Sequence, residues 1–386
     1  YLGSYASGNN YMDMSAITPS TMQLNRLKWE TTTEYNTGLD ASFLKGKLRF
    51  TVDVYQKYIK DLLQKKVKMP TSIGYGNGYE VSYMNSGKMT NKGWEFRVDA
   101  VPFENRDWRV GFYFNIAHNE NKITEMPDNY TEENYTFNNG EYAYRREEGR
   151  PMGSFYGYRY KGVCQNKDAT YARDADGNVM KDISGNAIVM RNGTATIAPG
   201  DALYEDINHD GVINQYDIVY LGNSNPRFTG GAGVNVSYKQ FKLSAIFYGR
   251  YGQDVVNSTR LNNESMRGID NQSTAVLRRW RNEGDQTDIP RALYGEGYNT
   301  LGSDRFVEDA SYLRLKSLSF NYRLPKKIIQ RWGFSNIDVY VTGYNLFTWT
   351  KYTGQDPEVK TENTYARDSA TTPASIQLVA GFNLSF

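Results

Sequence analysis

Apolar and polar side chains alternate with a period of two along several stretches of this chain, each about ten residues long. Tyr35, Thr37, Leu39, Ala41 and Phe43 share one face, with Asn36, Gly38, Asp40 and Ser42 on the other. Leu48, Phe50, Val52 and Val54 oppose Arg49, Thr51, Asp53 and Tyr55. Trp94, Phe96, Val98 and Ala100 oppose Glu95, Arg97 and Asp99, and Val110, Phe112, Phe114 and Ile116 oppose Arg109, Gly111, Tyr113 and Asn115. Phe241, Leu243, Ala245 and Phe247 oppose Lys242, Ser244 and Tyr248, with Ile246 breaking the polar face. The last stretch sets Ile376, Leu378, Ala380, Phe382, Leu384 and Phe386 against Gln377, Gly381, Asn383 and Ser385, with Val379 as its one apolar exception. A period of two places alternate side chains on opposite faces of a strand, and about ten residues is the length a tilted strand needs to cross a bilayer. Less regular stretches at 229–238, 311–324 and 336–349 bring the expectation to about nine strands.

The connections alternate in length. Short ones fall at 44–47, 102–107, 238–241 and 325–335, and long ones at 61–91, 121–228, 252–310 and 351–374. Membrane barrels have short turns at one rim and long loops at the other, whereas a soluble sandwich has no reason to sort its loops by end. The alternation works only if 151–163 does not cross, so the whole of 121–228 is expected outside the wall, carrying hairpins of its own. Nine strands would leave an open edge, and unpaired backbone groups are costly in lipid. The expected fold is therefore the C-terminal portion of an all-β, transmembrane antiparallel barrel, with further strands outside this stretch and 1–27 as the tail of a preceding long loop.

Composition fits that picture once the alternation is known. The mean hydropathy of −0.68 resembles that of a soluble protein, but a membrane barrel averages lipid-facing apolar residues with polar lumen residues. Among 386 residues the net charge is +2, which gives no reason to expect a nucleic-acid partner. One cysteine excludes an internal disulfide framework, and two histidines cannot build a histidine-rich metal site. Tyrosine is abundant, at 32.

A series of runs carries a family resemblance. They include Leu27-Lys28-Trp29-Glu30-Thr31-Thr32-Thr33-Glu34-Tyr35-Asn36, Asn91-Lys92-Gly93-Trp94-Glu95, Gly149-Arg150-Pro151-Met152-Gly153-Ser154-Phe155-Tyr156-Gly157-Tyr158 and Thr287-Asp288-Ile289-Pro290-Arg291. The most specific are Ala310-Ser311-Tyr312-Leu313-Arg314-Leu315-Lys316, Tyr322-Arg323-Leu324-Pro325, Asn345-Leu346-Phe347-Thr348 and Tyr352-Thr353-Gly354-Gln355-Asp356-Pro357-Glu358. Taken in order, from Leu27 to Phe386, they resemble the SusC/RagA family of TonB-linked outer-membrane proteins. The resemblance implies a 22-strand barrel with an N-terminal plug and a TonB-contacting segment, neither visible in this stretch. It implies active import of oligosaccharides or peptides across the outer membrane of a Bacteroidetes-like cell, in partnership with a SusD-like surface lipoprotein. The alternatives are a passive porin or adhesin barrel and an outer-membrane hydrolase.

One loop has metal-ligand spacing. Asp206, Asn208, Asp210, the Val212 carbonyl, Asn214 and Asp217 occupy positions 1, 3, 5, 7, 9 and 12 of an EF-hand-like run with Gly211 at position 6. Hard Ca²⁺ takes such oxygen donors, and the ion would staple a long loop. Asp at position 12 reaches less far than Glu. The competing account is an Asx turn without metal. Asp174-Ala175-Asp176-Gly177-Asn178 reads as a hairpin turn. Phe386, closing an alternating strand, is the expected barrel-insertion signal. Tyr75, Tyr79, Tyr83, Tyr130, Tyr135, Tyr142 and Tyr144 either stack on cargo or pack the loops. No catalytic residues are expected: His118 has Asn115, Asn119 and Glu120 nearby, but nothing singles out a serine nucleophile. Cys164 reads as an inert loop residue.

Overall fold

The computed structural model describes residues 3–11, 14–68, 72, 80–85, 87–126, 141–143, 146–295, 298–359, 361–362 and 365–386. Nine strands form one antiparallel sheet in strict chain order. They are β1 (Thr31–Phe43), β2 (Leu48–Lys60), β3 (Lys88–Glu104), β4 (Trp108–Glu125) and β5 (Phe228–Tyr238). They continue with β6 (Phe241–Tyr251), β7 (Tyr312–Arg323), β8 (Asn336–Thr350) and β9 (Gln377–Ser385). The nine strands expected from alternation are all present, and 151–163 supplies none of them. The sheet is not closed: β1 and β9 each pair on one side among the described residues.

The registers align the two faces across strands. One row runs Phe112, Val234, Ala245, Leu318, Gly343 and Leu378. The row nearest it on the other face runs Gly111, Asn235, Ser244, Ser319, Thr342 and Val379. The apolar face stays open to its surroundings, with Leu243, Phe320, Phe382 and Leu378 all exposed. That is the signature of a surface meant for lipid. Aromatic pairs sit toward both rims. Trp108 and Tyr238 lie 4.3 Å apart near the short turns, as do Phe241 and Tyr322 at 4.7 Å. Trp94 and Phe228 lie 6.1 Å apart toward the long loops, where Phe347 and Trp349 lie 6.2 Å apart.

The opposite face carries a device that alternation did not reveal. Tyr55, Tyr113 and Tyr340 each pair with a glycine on the next strand, Gly93, Gly233 and Gly381. A Cβ at any of these glycines would meet the tyrosine ring or hydroxyl within 2.6 Å. The rings therefore lie over bare backbone, which covers weak glycine positions.

All four short turns lie at one end. One of them, 44–47, holds Leu44, Lys45 and Gly46 at positive φ. The long connections lie at the other end and have structure of their own. Strands Leu63–Lys68 and Glu80–Asn85 form a hairpin within the first. Residues ahead of the wall also pair, Ser4–Tyr11 with Met14–Thr21. Buried apolar clusters lie among the loops rather than on the wall.

The two faces make opposite predictions for one substitution. Leu39→Arg puts a charge on the lipid face and should cost about 2–4 kcal/mol, while Asn36→Arg, on the other face of the same strand, should change stability by no more than about 0.5 kcal/mol. The readout is the urea dependence of the folded, fast-migrating form on unboiled gels. Equal losses would refute the facial assignment.

Candidate functional site

The wall supplies a polar surface on one side, and the long connections cover one end of it. These connections are not separate loops. A central strand, Asp254–Asn257, pairs antiparallel with Val307–Asp309 and parallel with Tyr365–Asp368. Ala143, Tyr156, Tyr158, Cys164, Ile213 and Leu301 share one buried cluster that joins two long connections. Val255, Ala310, Tyr352, Val359 and Ala366 share another that joins the last two. The result is a single packed cap.

Charged networks lock the cap internally and to the wall. Arg305, buried, donates to Glu264 at 2.8 Å, and Glu264 also accepts from Arg260 at 3.0 Å. Arg260 reaches Glu308 at 3.2 Å, whose other oxygen accepts from the Thr353 N–H at 2.9 Å. Arg291 holds Asp201 by two bonds, at 2.7 and 3.2 Å. On β7, the buried Arg314 donates to Asp356 and Glu358 of the last long connection, and Lys316 joins it on Glu358 at 2.8 Å. Burial pushes the Asp356 carboxyl up, but bonds from the Ala374 N–H, Arg314 and the Glu358 N–H outweigh it and hold the group below the usual carboxylate range.

The wall is built to deliver Arg314 and Lys316. Leu315 faces Phe347 and Ser317 faces Tyr344, so Lys316 alone opposes Asn345 and Leu346. Such a bulge re-aims a side chain. Asn345 takes positive φ there, which asparagine tolerates.

The EF-hand-like loop wraps as its sequence suggests. Asp206 accepts from the Asp210 and Gly211 N–H groups at 3.2 and 2.7 Å. Asp210 accepts from Val212 at 2.8 Å, and Asn208 accepts from Asp210 at 3.2 Å. Asn214 donates to the Val212 carbonyl at 3.0 Å and accepts from Tyr216 at 2.8 Å. Asp217, fully buried, accepts from the Ile207 and Asn214 N–H groups, both at 2.8 Å. Burial pushes the Asp217 carboxyl up, those N–H groups pull it part of the way down, and the Asp206 and Asp210 charges push it up again. The six residues thus share one small loop, and burial first, with the neighbouring carboxylates a lesser cause, keeps the Asp217 carboxyl above its ordinary range. Among the described residues, however, no three His, Cys, Asp or Glu side chains are gathered closely enough to hold a metal ion. The donor types and their order fit calcium, while the carboxylates are occupied by the loop's own N–H groups.

The remaining sequence candidates fall as follows. Asp174 closes a tight turn, accepting from the Asn178 N–H at 2.8 Å, and Asp182, which the sequence did not single out, closes a second one with the Asn186 N–H at 2.9 Å. Tyr142 is buried and its hydroxyl donates to the Ser303 carbonyl at 2.7 Å, so it packs the cap. Tyr83 is exposed. Tyr75, Tyr79, Tyr130, Tyr135 and Tyr144 lie outside the described residues. His118 sits among Trp94 and Phe228 with Nδ1 2.6 Å from the Arg227 carbonyl. Cys164 is buried, and burial pushes its thiol up to about 11. Phe386 follows the last strand, exposed, its ring 5.0 Å from Phe334.

Arg314 anchors the cap, and removing it strands the Asp356 carboxylate and leaves Glu358 to Lys316 alone. Arg314→Ala should cost about 3–5 kcal/mol locally, and limited proteolysis should then cut the 351–374 connection well before the wall. Cleavage unchanged from the unaltered protein would refute this role.

Residues 2–346 match the family described as "TonB dependent receptor-like, beta-barrel". The chain is 32% identical over 349 residues to "TonB-dependent receptor P3" of Formosa agariphila, covering 88% of this chain and 32% of that protein. It is 27% identical over 392 residues to "TonB-dependent receptor SusC" of Bacteroides thetaiotaomicron, covering 99% of this chain and 34% of that protein. Among solved structures, the RagAB peptide transporter superposes with a TM-score of 0.71 at 27% identity, over all of this chain and 39% of that one. The chain thus spans about a third of the length of the curated relatives it matches.

Proposed function

This chain belongs to the TonB-dependent receptor-like β-barrels, of the SusC/RagA kind, and from that premise we propose that it forms wall and cap of an active importer of oligomeric nutrients. Outer-membrane residence follows from the family. The observation that carries the import reading is the pairing of a polar inner face with a packed cap over one end of it. A wall with that inner face conducts polar cargo, and a cap of that solidity discriminates what enters. Glycans and peptides are both candidate cargo; a peptide transporter is among the structural relatives. The partners in this reading are a SusD-like surface lipoprotein at the cap and TonB, engaged through parts of the protein outside this chain. The relatives are receptors and transporters rather than enzymes.

Uptake of labelled oligosaccharides and oligopeptides by cells carrying the full-length protein tests the reading. Uptake should stop when a protonophore collapses the proton gradient, and when the lipoprotein is deleted. Uptake that survives the protonophore would mark a passive pore instead.

Calcium in the 206–217 loop is a second part of the proposal. Asp206, Asn208, Asp210, the Val212 carbonyl, Asn214 and Asp217 would hold it, and it would compensate the acidic charge of the loop. With a Kd of about 10⁻⁴ M, 1 mM calcium should stabilise the cap by about 1.4 kcal/mol. Differential scanning of the detergent-solubilised protein with calcium and with chelator reads this, and Asp206→Ala should abolish the difference. Identical melting in both buffers would leave only the Asx turn.

A further inference from the structure

The lipid face is hollow in one place. The registers set Ile116, Gly230, Gly249, Leu313 and Trp349 in a single row across β4 to β8. Two neighbours in that row have no side chain. A Cβ at Gly230 would meet the Asn115 carbonyl oxygen at 2.5 Å, and one at Gly249 the Tyr312 carbonyl oxygen at 2.7 Å. The backbone spacing therefore keeps both positions bare. The result is a groove of about 670 Å³ walled by Phe114, Phe228, Leu313 and Trp349. The row ends short of both open edges and lies on the face opposite the lumen. Neither further wall strands nor segments inside the lumen would cover it.

A polar pocket of about 300 Å³ adjoins the groove on the side of the cap, lined by His118, Lys122, Tyr220 and Arg227 with Glu120 as its only carboxylate. The two spaces meet where His118 packs against Phe228, with ring centroids 5.3 Å apart. On β4 the outward alternation of Phe114 and Ile116 continues through His118 and Glu120 to Lys122. Glu120 is already answered by Lys92 at 3.1 Å. Lys122 is exposed and has no ion pair among the described residues. The same is true of Arg227, on which Asp254 acts from beyond pairing distance. It is true again of Lys351, which follows Trp349 at the far end of the groove, where Asp309 is the only lining carboxylate. Exposed Tyr251 and Trp349 mark this level as the membrane interface. Basic side chains at that depth pair with anionic lipid headgroups.

We propose that groove and pocket together seat a phosphorylated acyl glycolipid of the outer leaflet. An acyl chain fills the strip over Gly230 and Gly249, and its phosphate is held by Lys122 and Arg227 on one side or Lys351 on the other. The long-loop rim of such a wall faces the outer leaflet, so both parts of the lipid meet the surface that matches them. The proposal rests on outer-membrane residence and on which rim bears the long loops, and it is independent of the import reading.

The test uses the full-length protein in detergent, with lipid A and its dephosphorylated form as probes, and native mass spectrometry reads the bound fraction of each over a lipid titration. It compares the unaltered protein with a Lys122→Gln, Lys351→Gln double variant and with Ala232→Phe, which puts a ring into the groove without changing its charge. All are first confirmed as folded on unboiled gels. The unaltered protein should prefer lipid A over the dephosphorylated form by about tenfold, and the double variant should lose that preference. Ala232→Phe should weaken binding of both forms. Equal binding of the two forms to the unaltered protein overturns the proposal, as does a double variant that keeps the preference. Lipid binding untouched by Ala232→Phe overturns the groove's part in it. So does a protein dimer that Ala232→Phe dissociates, because the groove would then seat a second copy of the chain.

Discussion

Hydrocarbon offers no partner for a backbone N–H or C=O, and the architecture follows from that constraint. Every wall strand but the two at the edges is paired on both sides, in registers that run through β5 and β6 without a break. A continuous ladder fixes which side chains share a face, so one residue of slip would send a whole polar row into lipid. Short turns keep that ladder in register at one rim. The Leu44–Gly46 turn tolerates three consecutive positive φ values to do so. The register shifts at Lys316, whose side chain turns to Glu358 of the cap.

The cap obeys a different rule. Freed from lipid, its backbone no longer needs a single ladder, and it buries apolar side chains as a soluble domain does. Phe155, Tyr156, Phe306 and Leu301 are wholly enclosed there, whereas the wall leaves residues of the same kinds exposed. Tyrosine serves both regions by different means. On the wall it lies over glycine; in the cap its ring packs while its hydroxyl finds a carbonyl or carboxylate, as Tyr142 does with Ser303 and Tyr352 with Asp368.

This division explains what could be read from the residues alone. A period of two is a local property, so strands such as β2 and β9 announce themselves and only their ends drift; β3 and β4 run to 17 and 18 residues, past the apolar stretches that reveal them. Loop lengths told which rim was which. The EF-hand-like spacing located a real wrapped turn, because its hydrogen bonds join residues two to five apart. The cap's unity was not legible. Val256 pairs with Arg367 and Val307, and Leu301 packs with Ile213, across separations that no local pattern encodes. The grouping of Arg49, Arg109 and Lys242 on one face was hidden for the same reason, since they meet only after five strands are in register.

The family runs gain a physical meaning from the same distances. Arg314 and Lys316 lie in one run, Asn345 in a second, and Asp356 and Glu358 in a third. In the fold they are a single device: Asn345 permits the bulge, the bulge aims Lys316, and Arg314 and Lys316 grip the two carboxylates of the connection that returns over the wall. Gly354 belongs to it as well, because a Cβ there would strike the Tyr352 ring and the Asp368 carboxylate, which are bonded to each other. Three runs that look independent along the chain are thus one constraint in space. A cap fixed to its wall at this point can move only as the wall allows, so that cap and inner face form one continuous surface.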